Sequence, residues 1–194
     1  RARANVEGLP MTLTGHRCNF YKHQWHVISA VASLRREGLP VVLDLVGGFH
    51  PRALIKLHKA QAHYDPEGNW VRFHGNIAYQ DLHQWYTTAD LGIFASSCEN
   101  MPNILLEKMA SGLPIACSNR GPMPEVLGHD GTYFDPEQSH DISRALRELI
   151  DSPERRAFSA EAGYQIALRY DWHRCADETF HFLTQVASEA YLVH

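Results

Sequence analysis

Short apolar runs, each about the length of a buried strand, alternate along the chain with longer stretches in which apolar positions recur every three or four residues. The strand-like runs are Met11–Thr14, Val41–Val46, Trp70–His74, Leu91–Ala95, Ile115–Ser118 and Thr132–Phe134. Helical patterns fall at 24–37, 51–62, 80–88, 103–111 and 137–150. In the first of these, Trp25, Ile28, Val31, Ala32 and Leu34 form the core face, and Gly38 and Gly112 stand where a helix ending in a left-handed residue wants glycine. Strands that are apolar throughout, separated by helices, predict an α/β fold with a doubly wound parallel sheet covered on both faces.

After residue 152 the pattern changes, because Pro153–Arg169 and Asp171–Tyr191 read as two successive helices with no strand between them. The expected organisation is a linker over 1–9, an α/β domain over 10–152 and a C-terminal helical tail over 153–194. The first residue is not Met, which predicts a piece cut from a longer protein. In an open parallel sheet, ligands bind outside the carboxyl ends of the strands, so chemistry is sought in the loops 15–23, 47–50, 75–79, 96–102 and 119–122.

Composition narrows the function classes. The chain has 194 residues with 18 basic and 22 acidic side chains, a formal charge of −4, and no long run of either sign. No nucleic-acid-binding field is therefore expected, and any anion site must be local. Four scattered cysteines with no Cys-x-x-Cys pair suggest a reducing compartment, hence a cytoplasmic location. There is neither a signal peptide core nor a run of about 20 apolar residues. Peripheral contact at the inner face of a membrane stays open.

The most informative segment runs from Ser96 to Glu107, following a buried strand and opening a helix that ends near Gly112. Pro102 suits a first helical turn, which would leave the amides of Asn103 and Ile104 to cradle an anion at the positive end of the helix dipole. A carboxylate accepts two hydrogen bonds side by side and so matches vicinal hydroxyls of a sugar or ribose. Glu99, beside the cradle, and Glu107, more than a turn into the helix, could each hold a diol at opposite ends of an elongated ligand. The plain alternative is that Glu99 caps the helix and Glu107 is an ordinary surface glutamate. Arg17 and Lys22, in the loop after the first strand, open on the same edge and could face a diphosphate. Positioned cations there stabilise charge that builds on a leaving diphosphate. Their plain alternative is a solvated loop pair.

Glu99 and Glu107, set in Glu-Asn-Met-Pro-Asn-Ile-Leu-Leu-Glu-Lys-Met-Ala-Ser-Gly-Leu-Pro, resemble the paired glutamates of retaining glycosyltransferases of the GT-B architecture. Further matches follow in order: Arg17 and Lys22, Leu45-Val46-Gly47-Gly48, Val71-Arg72-Phe73-His74-Gly75-Asn76-Ile77, Ala89-Asp90-Leu91, Gly121 to Glu125, and Tyr133-Phe134-Asp135-Pro136. The resemblance spans roughly residues 11 to 185. It implies one Rossmann-like domain facing a second, N-terminal one across a cleft, with the donor held here. It also implies that Glu99 holds the donor hexose, that Glu107 holds the ribose and that Gly75, Asn76 and Ile77 line the base. Asn100, Met101, Asn103, Ile104 and Gly47 complete the expected donor contacts, although Gly47 and Gly48 equally suit a tight strand-to-helix turn. His16 stands where that family often has glycine.

The expected reaction is transfer of a hexose from a UDP- or GDP-linked sugar to a carbohydrate or lipid-linked acceptor, as in polysaccharide biosynthesis, with no cofactor beyond the donor. A sugar-nucleotide epimerase of related architecture and a non-catalytic sugar-nucleotide-binding module are the competing readings. No metal is expected: the thirteen histidines are scattered, His23 and His26 lack a nearby third ligand, and there is no Asp-x-Asp. Cys98 has no evident basic partner, so a small buried side chain is expected there.

Overall fold

The computed structural model describes residues 11–15 and 19–191. Six parallel strands form its sheet: β1 (Met11–Gly15), β2 (Val41–Val46), β3 (Val71–Gly75), β4 (Leu91–Phe94), β5 (Ile115–Ser118) and β6 (Thr132–Phe134). Between and after them come α1 (Gln24–Arg36), α2 (Pro51–Tyr64), α3 (Leu82–Thr88), α4 (Asn103–Ala110), α5 (Met123–Leu127), α6 (Ser139–Asp151), α7 (Pro153–Ala167) and α8 (Trp172–Tyr191). The strand order is β3-β2-β1-β4-β5-β6. The chain winds outward from β1 to β3, then returns to lay β4 against the other side of β1, with Leu13 opposite Leu91. That reversal opens a crevice between the loops leaving β1 and β4, where an open α/β sheet binds ligands.

All six residues of β2 are buried, Asp44 included, as a central parallel strand covered on both faces requires. One core cluster joins α1, α2 and α6 to the sheet through Ile28, Val31, Leu43, Leu57, Ile142 and Leu146. A second joins α4 and α5 to β4 and β5 through Phe94, Leu105, Met109, Ile115, Met123 and Leu127. Lys108 belongs to that second layer and is fully buried, its Nζ donating to the Ile93 carbonyl at 2.7 Å.

Three elements depart from the periodicity. Strand β3 starts at Val71, not Trp70: the buried Asp65 carboxylate accepts the amides of Asn69, Trp70 and Val71 at 2.9, 3.0 and 2.7 Å, while the Trp70 carbonyl still accepts the Leu43 amide of β2 at 2.8 Å. Helix α5 is five residues long and carries Pro124, too short for a 3.6-residue pattern to declare itself. A 3-10 turn over Phe20–Lys22 fills part of the loop after β1. Of the two helices after residue 152, α7 packs Gly163 onto Met109 and contributes Ala167 to the second cluster. Helix α8 leaves its described side chains exposed, among them Trp172 and Phe180. Among the described residues, no helix is long and apolar enough to cross a membrane.

Candidate functional site

Two of the residues expected at the donor edge, Lys22 and Glu99, meet across the crevice between β1 and β4. After β1, Asn19 accepts the Phe20 amide at 2.8 Å and starts the 3-10 turn, which delivers Lys22 into the crevice rather than into solvent. Lys22 is buried, and its ammonium lies 4.9 Å from the centre of the Phe94 ring at the end of β4. That ammonium donates to the carboxylate of Glu99, 77 positions along the chain. The two loops are also tied backbone to backbone, the Ser97 amide donating to the Tyr21 carbonyl at 2.8 Å. Arg17, the other expected cation, lies outside the described residues, as do His16 and Cys18.

The start of α4 differs from expectation. Pro102 is the cap of the helix, not its first residue, and its carbonyl accepts the amides of Leu105 and Leu106 at 2.8 and 3.2 Å. The Asn103 amide, one of the two expected cradle amides, is engaged within the chain, donating to the Met101 carbonyl at 2.9 Å. A proline at the cap cannot offer a side-chain oxygen, so the turn closes on its own carbonyls. Asn100, Met101 and Asn103 are exposed along this loop, and Cys98 is exposed as well, contrary to the buried position expected for it.

Glu107 is more than a surface glutamate. Its Oε2 accepts the hydroxyl of Tyr86, a buried residue of α3, at 3.0 Å. Burial first, and then the Glu107 charge, push the Tyr86 phenol far above its ordinary value, so it serves Glu107 as a permanent donor. Tyr86 escapes sequence reading because it fits the helical pattern 80–88 as an ordinary core aromatic. With one oxygen held, the other remains to accept a ligand hydroxyl. Glu107→Gln is therefore expected to weaken nucleotide binding by about 1.5–3 kcal/mol with unchanged melting, since an amide can satisfy Tyr86 but cannot accept at both positions. Calorimetric titration with UDP and GDP checks this, and equal affinities for the two proteins would remove Glu107 from the site.

Gly47 and Gly75, at the ends of β2 and β3, join at the same edge, with the Gly47 amide donating to the Gly75 carbonyl at 2.7 Å. Their φ angles are 113° and 65°, conformations that favour glycine. A Cβ on Gly48 would come 2.5 Å from Asn76 Oδ1, so the closeness of these two loops itself accounts for that glycine. Asn76 is exposed and Ile77 half-buried beside it. Beneath them His74 Nε2 meets the buried Asp44 carboxylate at 2.6 Å, and the indole of Trp85 lies against the imidazole with ring centres 4.1 Å apart. This contact anchors α3, the helix that carries Tyr86. Among the described residues, no group of three or more ligating side chains could hold a metal ion.

Residues 1–166 match the family model described as Glycosyl transferases group 1. The O-antigen chain mannosyltransferase B of Escherichia coli is 29% identical over 110 residues, covering 57% of this chain and 29% of that protein. The GDP-mannose-dependent alpha-(1-6)-phosphatidylinositol monomannoside mannosyltransferase of Mycobacterium tuberculosis is 26% identical over 174 residues, covering 84% of this chain and 44% of that protein. This chain thus spans less than half the length of either relative. The crystal structure of Anabaena HepE in complex with UDP and glucose shares the fold, with a TM-score of 0.80, 23% identity and coverage of 91% of this chain and 48% of that one.

Proposed function

We propose, from the premise that this chain belongs to the group 1 glycosyl transferases, that it is the donor-binding half of a retaining enzyme that takes a hexose from a nucleoside diphosphate sugar. The acceptor, a carbohydrate or a lipid-linked sugar, would approach from a second Rossmann-like domain across the cleft. The reading is carried by one observation, the pairing of Lys22 with Glu99 at the reversal between β1 and β4. A cation and a carboxylate held together there present, to a ligand with a diphosphate beside a sugar, one group for each part. Lys22, with Arg17, would meet the charge that grows on the departing diphosphate, a state it stabilises more than the bound donor. Glu99 would accept sugar hydroxyls, and Glu107, steadied by Tyr86, those of the ribose.

A diphosphate answered by cationic side chains has no need of a divalent ion. Titration of the chain with UDP, GDP and ADP, each with and without chelator, tests both points. One of the three is expected to bind, and to bind equally well with chelator present. No binding of any would end the donor reading. A strict requirement for magnesium or manganese would end only the metal-independent part of it.

A further inference from the structure

His23 is the residue without a plain reason for its geometry. It is the non-glycine residue with positive φ among those described, at φ 50° and ψ 25°, a left-handed conformation that L side chains adopt at a cost. It closes the 3-10 turn and opens α1 at once, yet its side chain caps neither. The ring instead crosses the crevice. It is 6% exposed, and its Nε2 lies 2.8 Å from the Ser97 hydroxyl, one residue after Lys22 on its own side and two before Glu99 on the other. The His26 ring stacks beside it at 5.6 Å, and His26 Nδ1 meets the Pro136 carbonyl in the loop after β6.

We propose that His23 is a positioning residue, a latch between the loops after β1 and β4 that holds Lys22 and Glu99 at the spacing a nucleoside diphosphate sugar requires. The proposal rests on the donor reading above. A strained backbone persists only where its surroundings over-determine it, and here the surroundings are the Ser97 hydroxyl and the stacked His26. Without the ring, the 3-10 turn keeps its Tyr21 carbonyl on the Ser97 amide but loses the side-chain tie next to Lys22. Ordering Lys22 then falls to the ligand and subtracts from affinity.

The protonation state of the latch follows from the same contacts. The Ser97 hydroxyl lies 3.4 Å from the Tyr21 carbonyl, to which it donates, so the imidazole Nε2–H donates to Ser97 Oγ. Nδ1 is then the bare nitrogen, buried and without a partner among the described residues. Burial first, then His26, hold the ring below its ordinary value; Lys56 acts in the same direction, and Glu137 and Asp135 act against it. Lys22 and Glu99 are the other charges beside it, already joined to each other. Because the folded value is depressed, the unfolded chain takes up the proton first. The ring is therefore neutral in the folded chain above that lowered value, and a proton added at Nδ1 leaves the Nε2–H donating to Ser97.

The test titrates the wild-type chain and the variants His23→Gly, His23→Asn, Ser97→Ala and the His23→Gly/Ser97→Ala pair with whichever of UDP, GDP or ADP the wild type binds. Each single variant is expected to bind roughly five- to twentyfold more weakly with little change in melting, and the pair no more weakly than either, as for two halves of one contact. Glycine and asparagine both accept the left-handed backbone, so neither is expected to misfold. Wild-type affinity in the single variants, or penalties that add in the pair, would overturn the latch and leave the donor reading standing. If the wild type binds none of the three nucleotides, the donor reading fails and the latch falls with it.

Discussion

Lys22→Ala is expected to weaken nucleoside diphosphate binding by about 2–3 kcal/mol, roughly 30- to 150-fold, and to leave the bare nucleoside almost unaffected. Only the diphosphate presents charge to the ammonium, so the difference between the two ligands isolates that contact. The variant also has a structural consequence, because Glu99 is half-buried and loses its partner, a loss of about 1–3 kcal/mol of stability at this degree of burial. The double change Lys22→Met with Glu99→Gln separates the two effects. With both charges gone the stability should return, while the diphosphate affinity should not. Glu99→Ala alone points the other way: it releases Lys22, so diphosphate affinity stays intact or rises, and only the nucleotide sugar loses affinity. One titration series with nucleoside, nucleoside diphosphate and nucleotide sugar on these proteins decides the matter. Wild-type diphosphate affinity in Lys22→Ala would mean that the loop after β1 does not face the phosphates, and the leaving-group role would go with it.

The sheet was legible wherever burial alone sets the pattern. Strands β2, β5 and β6 fall on the runs that mark them, because nearly all their residues, Asp44, Ser118 and Thr132 included, are buried in the sheet. The exceptions are places where a polar group far along the chain, or very near in it, competes with the ladder. Asp65 takes the Trp70 amide just before β3, and Met101 takes the Asn103 amide from the expected cradle. Neither competition changes hydrophobicity, so periodicity carries no trace of it.

The site was legible as a set of residues and not as a set of pairs. Glu99, Glu107 and Lys22 stand out by chemistry and loop position, but the contacts that define them run to Lys22, Tyr86 and Glu99 across 77, 21 and 77 positions. Tyr86 and His23 went unmarked as partners, since one sits in a helix at a core position and the other reads as one of thirteen scattered histidines. What reveals His23 is its backbone, a left-handed turn at a non-glycine residue. A sequence shows the residue type and is silent on the turn.

Lys108→Met is expected to gain stability relative to the wild type as pH falls from about 10 to about 7. The Lys108 side chain is fully buried between α4 and β4, so tightly that a Cβ on Gly92 would meet its Cδ at 3.3 Å. Burial first, and Lys22 with it, lower the ammonium to about 7, against opposing pulls from Cys117 and Glu107. In the unfolded chain it titrates near about 10.4. Between those values the unfolded state holds a proton that the native state has released, so the wild-type chain gains up to about 1.4 kcal/mol per pH unit as pH rises. Below about 7 both states are protonated, and the whole cost of a buried ammonium falls on the native state. Methionine has similar length and no charge, and its stability lacks this slope. It does leave the Ile93 carbonyl without the Lys108 donor, at about 1 kcal/mol, but that loss is the same at every pH. The slope, rather than the offset, is therefore diagnostic. Urea unfolding of both proteins at several pH values between about 6.5 and 9.5 provides it, and subtracting one from the other removes the titrations they share. Burial pushes the neighbouring Cys117 thiol so far up that it stays protonated throughout this range. Parallel stability curves would mean that Lys108 keeps its charge inside the fold, held by its neighbours in the layer between α4 and β4. The position next to Glu107 would then be a buried cation acting on the donor edge from below.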